Sequence, residues 1–188
     1  MADRPMTTMS TTDVIELLLA DHEQAKALLG RFDQTEPSER AAYFYEVVTA
    51  LVRHEVAEER VVYPITRHAV PDGEREAKAR IAEQSEIEKL LVALEKLDAS
   101  SEEFATEFAT LRGAVLDHAA AEEATTFPLL EQMEDTESRL ALGGLYELAK
   151  AKAPSHPHPH APQSPPGDVI FGVVASLFDK ARDAVRSA

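Results

Sequence analysis

Cysteine is absent from the sequence, which excludes disulfides, thiolate chemistry and iron–sulfur ligation. Tryptophan is absent too, and only 6% of residues are aromatic, so leucine, valine, isoleucine and alanine must fill most of any core. Glycine is scarce, at 7 residues in 188, and the richness in Ala, Glu and Leu favours helix over sheet. Positive charge is also short: 19 Lys and Arg against 34 Asp and Glu leave a net charge of −15. That balance argues against nucleic acid and anionic membranes as partners, because both are bound by clustered Lys and Arg. No apolar run reaches the roughly 18 residues of a spanning helix. The N-terminus carries no apolar stretch of the signal-peptide kind. A cytoplasmic location is the expectation.

The chain is long enough for one ordinary domain with an appendage. After a polar leader over residues 1–10, Asp13 caps a periodic stretch from Val14 to about Phe32. Pro37 and Ser38 open a second helix, from about Glu39 to Val70, with a kink expected at Pro64. The turn Pro71-Asp72-Gly73 ends it. A third helix is predicted over about Glu74 to Leu97, and a fourth, capped by Ser100-Ser101 and Glu103, reaches Pro128 or slightly beyond. A shorter helix follows at about Glu137 to Lys152. Long amphipathic helices joined by short loops predict an all-α, up-down-up-down four-helix bundle over residues 12–152. Residues 153–167 are proline- and histidine-rich and read as an extended spacer. A short amphipathic helix is expected over residues 168–187, its apolar side formed by Ile170, Val173, Val174, Leu177, Phe178, Ala181 and Val185.

An internal repeat carries the chemistry. His54-Glu-Val-Ala-Glu58-Glu59-Arg-Val-Val-Tyr63-Pro64 recurs 64 residues later as His118-Ala-Ala-Ala-Glu122-Glu123-Ala-Thr-Thr-Phe127-Pro128. Both copies read HxxxEE, three residues, an aromatic, then Pro. The i, i+4 spacing puts His and the first Glu on one helix face, where Cβ atoms lie about 5–6 Å apart. Metal–ligand bonds of about 2.0–2.2 Å from each side chain then meet at one ion. In the second helix Val47, Leu51, His54 and Glu58 follow steps of 4, 3 and 4. In the fourth, Phe108, Leu111, Val115, His118 and Glu122 step by 3, 4, 3 and 4. Both pairs therefore continue the stripe that faces the core. Buried carboxylates are costly unless paired or bound to a metal, and a shared cation satisfies all four groups. His22 joins them from the first helix, between Ile15, Leu18, Ala25 and Leu29 on its buried side.

His22, His54-xxx-Glu58 and His118-xxx-Glu122, in that order on helices one, two and four, resemble the hemerythrin-type HHE cation-binding domain over about residues 12–150. The Pro-rich linker and terminal helix resemble the tails of actinobacterial members. The resemblance implies a bundle holding an oxo- or hydroxo-bridged di-iron site, with the two Glu residues bridging and the His residues terminal. It also implies roles in dioxygen carriage, nitric oxide or peroxide handling, or iron and oxygen sensing.

One position departs from that pattern. Where the family carries a His on helix three, this chain has Glu83-Gln84-Ser85-Glu86-Ile87-Glu88. A neutral amide is a weak ligand for iron and a carboxylate a good one. Glu88 is therefore counted with His22, His54, Glu58, His118 and Glu122 as a candidate ligand. The alternatives are an open position holding water beside Gln84, or loss of one ion. His68 reads as solvent-facing, and His156, His158 and His160 as part of the spacer. Tyr63 reads as an aromatic core plug, with a hydrogen-bonding role beside the site as the alternative. Three functions compete: a di-iron protein acting on a small diatomic or peroxide ligand, an iron-binding or iron-sensing module without catalysis, and a helical interaction bundle with a degenerate site.

Overall fold

The structure, a computed structural model, describes residues 12–69, 72–133 and 135–155, and every regular element among them is helical. Helix α1 is Val14–Gly30, capped by the Asp13 carboxylate, which accepts from the Ile15 N–H at 2.9 Å. It ends two residues short of Phe32, whose ring a 3-10 turn (Phe32–Gln34) carries into the core. A second 3-10 turn at Pro37–Glu39 leads into α2, Arg40–Ala57. A π-helical segment, Glu58–Val62, joins α2 to α3, Tyr63–Ala69. Beyond the turn at Asp72 lies α4, Gly73–Leu94, three residues shorter at its C-terminus than the periodicity suggests. Helix α5, Glu102–Ala121, is capped by Ser101, which accepts from the Phe104 N–H at 3.0 Å. A second π segment, Glu122–Thr126, connects it to α6, Phe127–Met133. Helix α7, Thr136–Lys152, is capped by Asp135 through the Ser138 N–H. Each such cap stabilises its helix by about 1 kcal/mol. The linker from residue 156 on, with His156, His158 and His160, and the helix expected over 168–187 lie outside the described residues. So does the side chain of His68.

The two π segments replace the simple kink expected at Pro64. Proline lacks an N–H, and its ring clashes with the carbonyl four residues back in an α-helix. Widening the preceding turn relieves that clash. The Tyr63 and Phe127 N–H groups bond to the carbonyls of Glu58 and Glu122, five residues back. Five steps along an α-helix lie about 140° round the axis, but in a π turn residue i+5 stacks nearly over residue i. The aromatic of each repeat is thereby brought onto the same face as the first glutamate.

Apolar residues form two clusters along the bundle axis. One gathers Leu18, Ala57, Val61, Tyr63, Phe127, Leu142 and Tyr146. The other holds Leu29, Leu51, Ile87, Leu91, Leu111 and Val115 with the rings of Phe32, Tyr43, Phe44, Phe104 and Phe108, Phe32 and Phe108 stacking 4.2 Å apart between centroids. His22, His54, Glu58, Gln84, His118 and Glu122 are all buried between these clusters as a polar layer. Helix α7 is part of the core rather than an appendage: Leu142, Tyr146 and Ala149 are buried, and it packs against α1 and α2.

Candidate metal centre

The polar layer is built from four helices. Helix α1 supplies His22, α2 and its π segment supply His54 and Glu58, α4 supplies Gln84, and α5 with its π segment supplies His118 and Glu122. Ligand atoms of His22, His54, Glu58 and Glu122 lie within 4.8 Å of one another. Donors on opposite sides of one ion sit about 4.2 Å apart, twice a bond of about 2.1 Å. His118 lies beside this set rather than within it, its Nε2 3.5 Å from Glu122 Oε2.

Every imidazole is fixed from behind. His22 Nδ1–H donates to Glu123 Oε1 at 2.9 Å, and His118 Nδ1–H donates to Glu83 Oε2 at 2.8 Å. His54 Nδ1–H donates to the Tyr146 hydroxyl oxygen at 2.7 Å, and that hydroxyl donates to Asp21 Oδ2 at 2.7 Å. Asp21 is held in turn by Lys150. A proton committed to Nδ1 leaves the Nε2 lone pair directed into the centre, which is how outer partners orient metal-binding histidines.

The carboxylates are arranged in the same way. Gln84 Nε2 donates to Glu58 Oε2 and to the Tyr63 hydroxyl oxygen, both at 2.8 Å, and Tyr63 O–H donates to Glu122 Oε1 at 2.7 Å. One oxygen of each glutamate is thus satisfied. The atoms left buried without a hydrogen bond include Glu58 Oε1, Glu122 Oε2, His22 Nε2 and His118 Nε2. His22 Nε2 and Glu122 Oε2 are 3.3 Å apart, close enough for an ion pair but not aligned as a hydrogen bond. Imidazole nitrogens and carboxylate oxygens buried together without hydrogen-bond partners are a donor set that suits a first-row transition metal. The residues fit the metal the motif implies.

The electrostatics point the same way. Burial, followed by the neighbouring Glu122, pushes the Glu58 carboxyl well above the usual carboxylate range. Burial also acts to raise Glu122, but His22, His118 and His54 outweigh it and hold this carboxyl at about 2. Burial lowers His54, whereas at His22 it is overcome by Glu122 and Glu123 and the imidazole is raised.

Of the six candidate ligands, His22, His54, Glu58 and Glu122 come together, and His118 adjoins them through Glu122. Glu88 does not. It is half-buried, acting electrostatically on Glu55 and Glu59, while Gln84 takes the inward position on α4. The reason is register: Gln84 and Ile87 face the core, so Glu88, one step beyond Ile87, turns to the side of the helix. Tyr63 is no mere plug, since its hydroxyl bridges Gln84 and Glu122. Tyr146, Asp21, Glu83 and Glu123 were not legible as site residues. The phenol of Tyr146, on a helix with no ligand motif, gave no signal. The repeated second glutamate of HxxxEE was the signal for Glu123.

Beside the histidines lies a small, partly open cavity of about 20 Å³, lined by His22, His54 and His118 together with Leu51, Ile87 and Val115. It has room for a water-sized or diatomic molecule and little more.

Residues 13–130 match the hemerythrin HHE cation-binding domain family. The chain is 30% identical over 139 residues to an uncharacterised hemerythrin-like protein of Schizosaccharomyces pombe, covering 73% of this chain and 68% of that one. It is also 30% identical over 145 residues to a DNA nickase of a Nostoc species, covering 77% of this chain but 40% of the nickase. In fold it is similar to a hemerythrin HHE cation-binding domain-containing protein of Mycobacterium kansasii, at a TM-score of 0.63 and 20% identity, covering 92% and 93% of the two chains. With the ligand pattern, the bundle and the family match in agreement, this chain belongs to the hemerythrin HHE cation-binding domain family.

Proposed function

We propose that this protein holds non-haem iron, two ions when fully loaded, and acts on dioxygen, nitric oxide or peroxide as a sensor, scavenger or low-turnover redox protein. The observation that carries the reading is the set of unpartnered Nε2 and carboxylate oxygen atoms turned toward one another while every Nδ1 is bonded outward. Bound iron would supply redox chemistry and a position where a small ligand binds. The protein's own part is to orient the imidazoles, to keep bulk water out between two apolar clusters, and to limit ligand size through the 20 Å³ cavity.

The two ions are not expected to be equivalent. His22, His54, Glu58 and Glu122 define the first. A second would need Glu58 Oε2 and Glu122 Oε1, which Gln84 and Tyr63 already engage. Its binding must displace those hydrogen bonds, so the second ion binds more weakly. A single-ion module that binds or senses iron without catalysis is the second reading, and this hydrogen-bond network favours it. DNA nicking is the property of the Nostoc protein, and a net charge of −15 gives no support for carrying it over. Iron per chain and the absorption spectrum of purified protein test the proposal. Two irons and a charge-transfer band that changes with peroxide or nitric oxide are expected. One iron without such a response supports the module, and no iron after anaerobic loading with ferrous ion refutes both.

A further inference from the structure

The face of the centre toward α4 carries a carboxylate that the metal-binding arrangement does not use. Glu55 is only 9% exposed and lines the small cavity together with His22, His54 and His118. Among the described residues none gives it a hydrogen bond or an ion pair. An isolated buried carboxylate is costly and calls for a partner. Glu59, one turn further along the same helix, and Glu88, from α4 opposite, are half-buried and near enough to act on Glu55 electrostatically. Arg60 is the cation that tempers Glu59, and burial and Glu88 outweigh it. Lys26, at the other rim of the cavity, is engaged by Glu23 and Glu123. The wider cleft on the α1 and α2 side, about 390 Å³, carries Arg53 and Lys150 as well as Asp21 and Glu46, so it has no net negative charge to attract a cation.

We propose that Glu88, Glu59 and Glu55 form a stepped uptake path along which a divalent cation passes from solvent to the histidines of the centre. The proposal rests on the metal-binding reading above and adds to it the route by which the ion arrives. Two half-buried carboxylates collect a hydrated cation at the surface. Glu55, unpartnered and bordering the cavity, takes it as the hydration shell is shed and delivers it to Nε2 atoms in the same wall. Clustered charge of one sign beside low-dielectric walls raises association rates by about 10- to 1,000-fold. Glu55 thereby has a use that a core position alone would not give it, because an apolar residue would fill the same space without burying a carboxyl group.

The test separates rate from capacity. Metal-free protein is mixed with ferrous ion under anaerobic conditions, and separately with cobaltous ion. Uptake is followed in time by absorption and by quenching with a fast chelator, and the metal bound at equilibrium is then measured. Glu55→Gln should slow uptake about tenfold or more, and Glu59→Gln and Glu88→Gln several-fold, all with the parent's final stoichiometry. Glu16→Gln, an exposed change of the same charge on α1, should load at the parent's rate. Parent-like rates in all three path variants overturn the proposal. A lowered final stoichiometry in Glu55→Gln also overturns it, since Glu55 would then be a ligand. A parent that takes up no ion refutes the metal centre itself, and the path with it.

Discussion

Tyr146→Phe removes one hydroxyl whose consequences can be followed atom by atom. That oxygen accepts from His54 Nδ1–H at 2.7 Å and passes its own proton to Asp21 Oδ2 at 2.7 Å. Asp21 keeps two contacts from Lys150 Nζ, at 2.6 and 2.7 Å, so the change strands His54 and not Asp21. A buried donor without an acceptor costs about 1–3 kcal/mol. The ring can recover part of this by swinging toward Asp21 Oδ2, 3.5 Å away, but the same swing takes Nε2 off the centre. Loss of an outer partner of a ligating histidine lowers metal affinity about 10- to 100-fold, equivalent to about 1.4–2.7 kcal/mol. The two estimates agree, and a 10- to 100-fold weaker affinity for ferrous ion is expected in chelator competition, with unchanged stoichiometry at saturation. Asp21→Asn should do less, because an amide oxygen can still accept from Tyr146 and preserve the chain of donors. Parent-like affinity in Tyr146→Phe would refute the claim that this chain orients His54.

Three further outcomes are expected. Gln84→His replaces the amide that engages Glu58 and Tyr63 with an imidazole, and should raise binding of a second iron; titration calorimetry with unchanged second-site affinity would count against Gln84 facing that ion. In the metal-free protein, Glu58 and Glu55 are raised above the ordinary value of 4.5 and His22 above 6.5, so stability is lost as pH rises through their folded values, while the lowered His54 opposes this below 6.5. The melting temperature of chelated protein should therefore fall as pH rises from about 5 to 7, and that of loaded protein should rise, since ligands must lose protons to bind; parallel curves in calorimetry would refute this. Gly143→Ala would place a Cβ 2.1 Å from the Thr12 carbonyl oxygen, so it should destabilise by about 1–3 kcal/mol in urea unfolding with iron content unchanged.

The helices and the inward placement of His22, His54, Glu58, His118 and Glu122 were legible because both rest on periodicity. Steps of 3 and 4 through Val47, Leu51, His54 and Glu58 specify a buried face whatever the rest of the chain does. Tyr63 was legible as a buried aromatic, whereas the bond of its hydroxyl to Glu122, given only as the alternative, could not be read from periodicity. In an uninterrupted α-helix its ring would lie well round from the glutamate, and only the π turn brings its hydroxyl to 2.7 Å from Glu122 Oε1. The signal was present: a proline directly after the aromatic, in both repeats, asks for a widened turn just before it. Tyr146 and Asp21 were illegible for another reason. Their part depends on how α7 docks against α1 and α2, which no local pattern specifies.

The repeat accounts for the ligands but not for the charge around them, because its two copies meet different neighbours. The second glutamate of one copy, Glu123, reaches α1, where His22 Nδ1 and Lys26 Nζ supply donors at 2.9 and 3.1 Å. Burial acts to raise its carboxyl, but His22 and Lys26 outweigh it and hold the carboxyl low. The second glutamate of the other copy, Glu59, reaches toward α4, where Glu88 stands and burial and Glu88 together raise it. A histidine at position 84 would have placed a donor on that side as well. With Gln84 there instead, the amide is consumed by Glu58 and Tyr63, and nothing on α4 compensates Glu55, Glu59 or Glu88. Gln84 at this position therefore engages Glu58 and Tyr63 and leaves the adjoining face acidic, and under the proposed function it would also weaken the place of a second ion. Under the proposed two-ion reading, that asymmetry between α1 and α4 would make the first ion's place firmer than the second's and would put the entry on the acidic face.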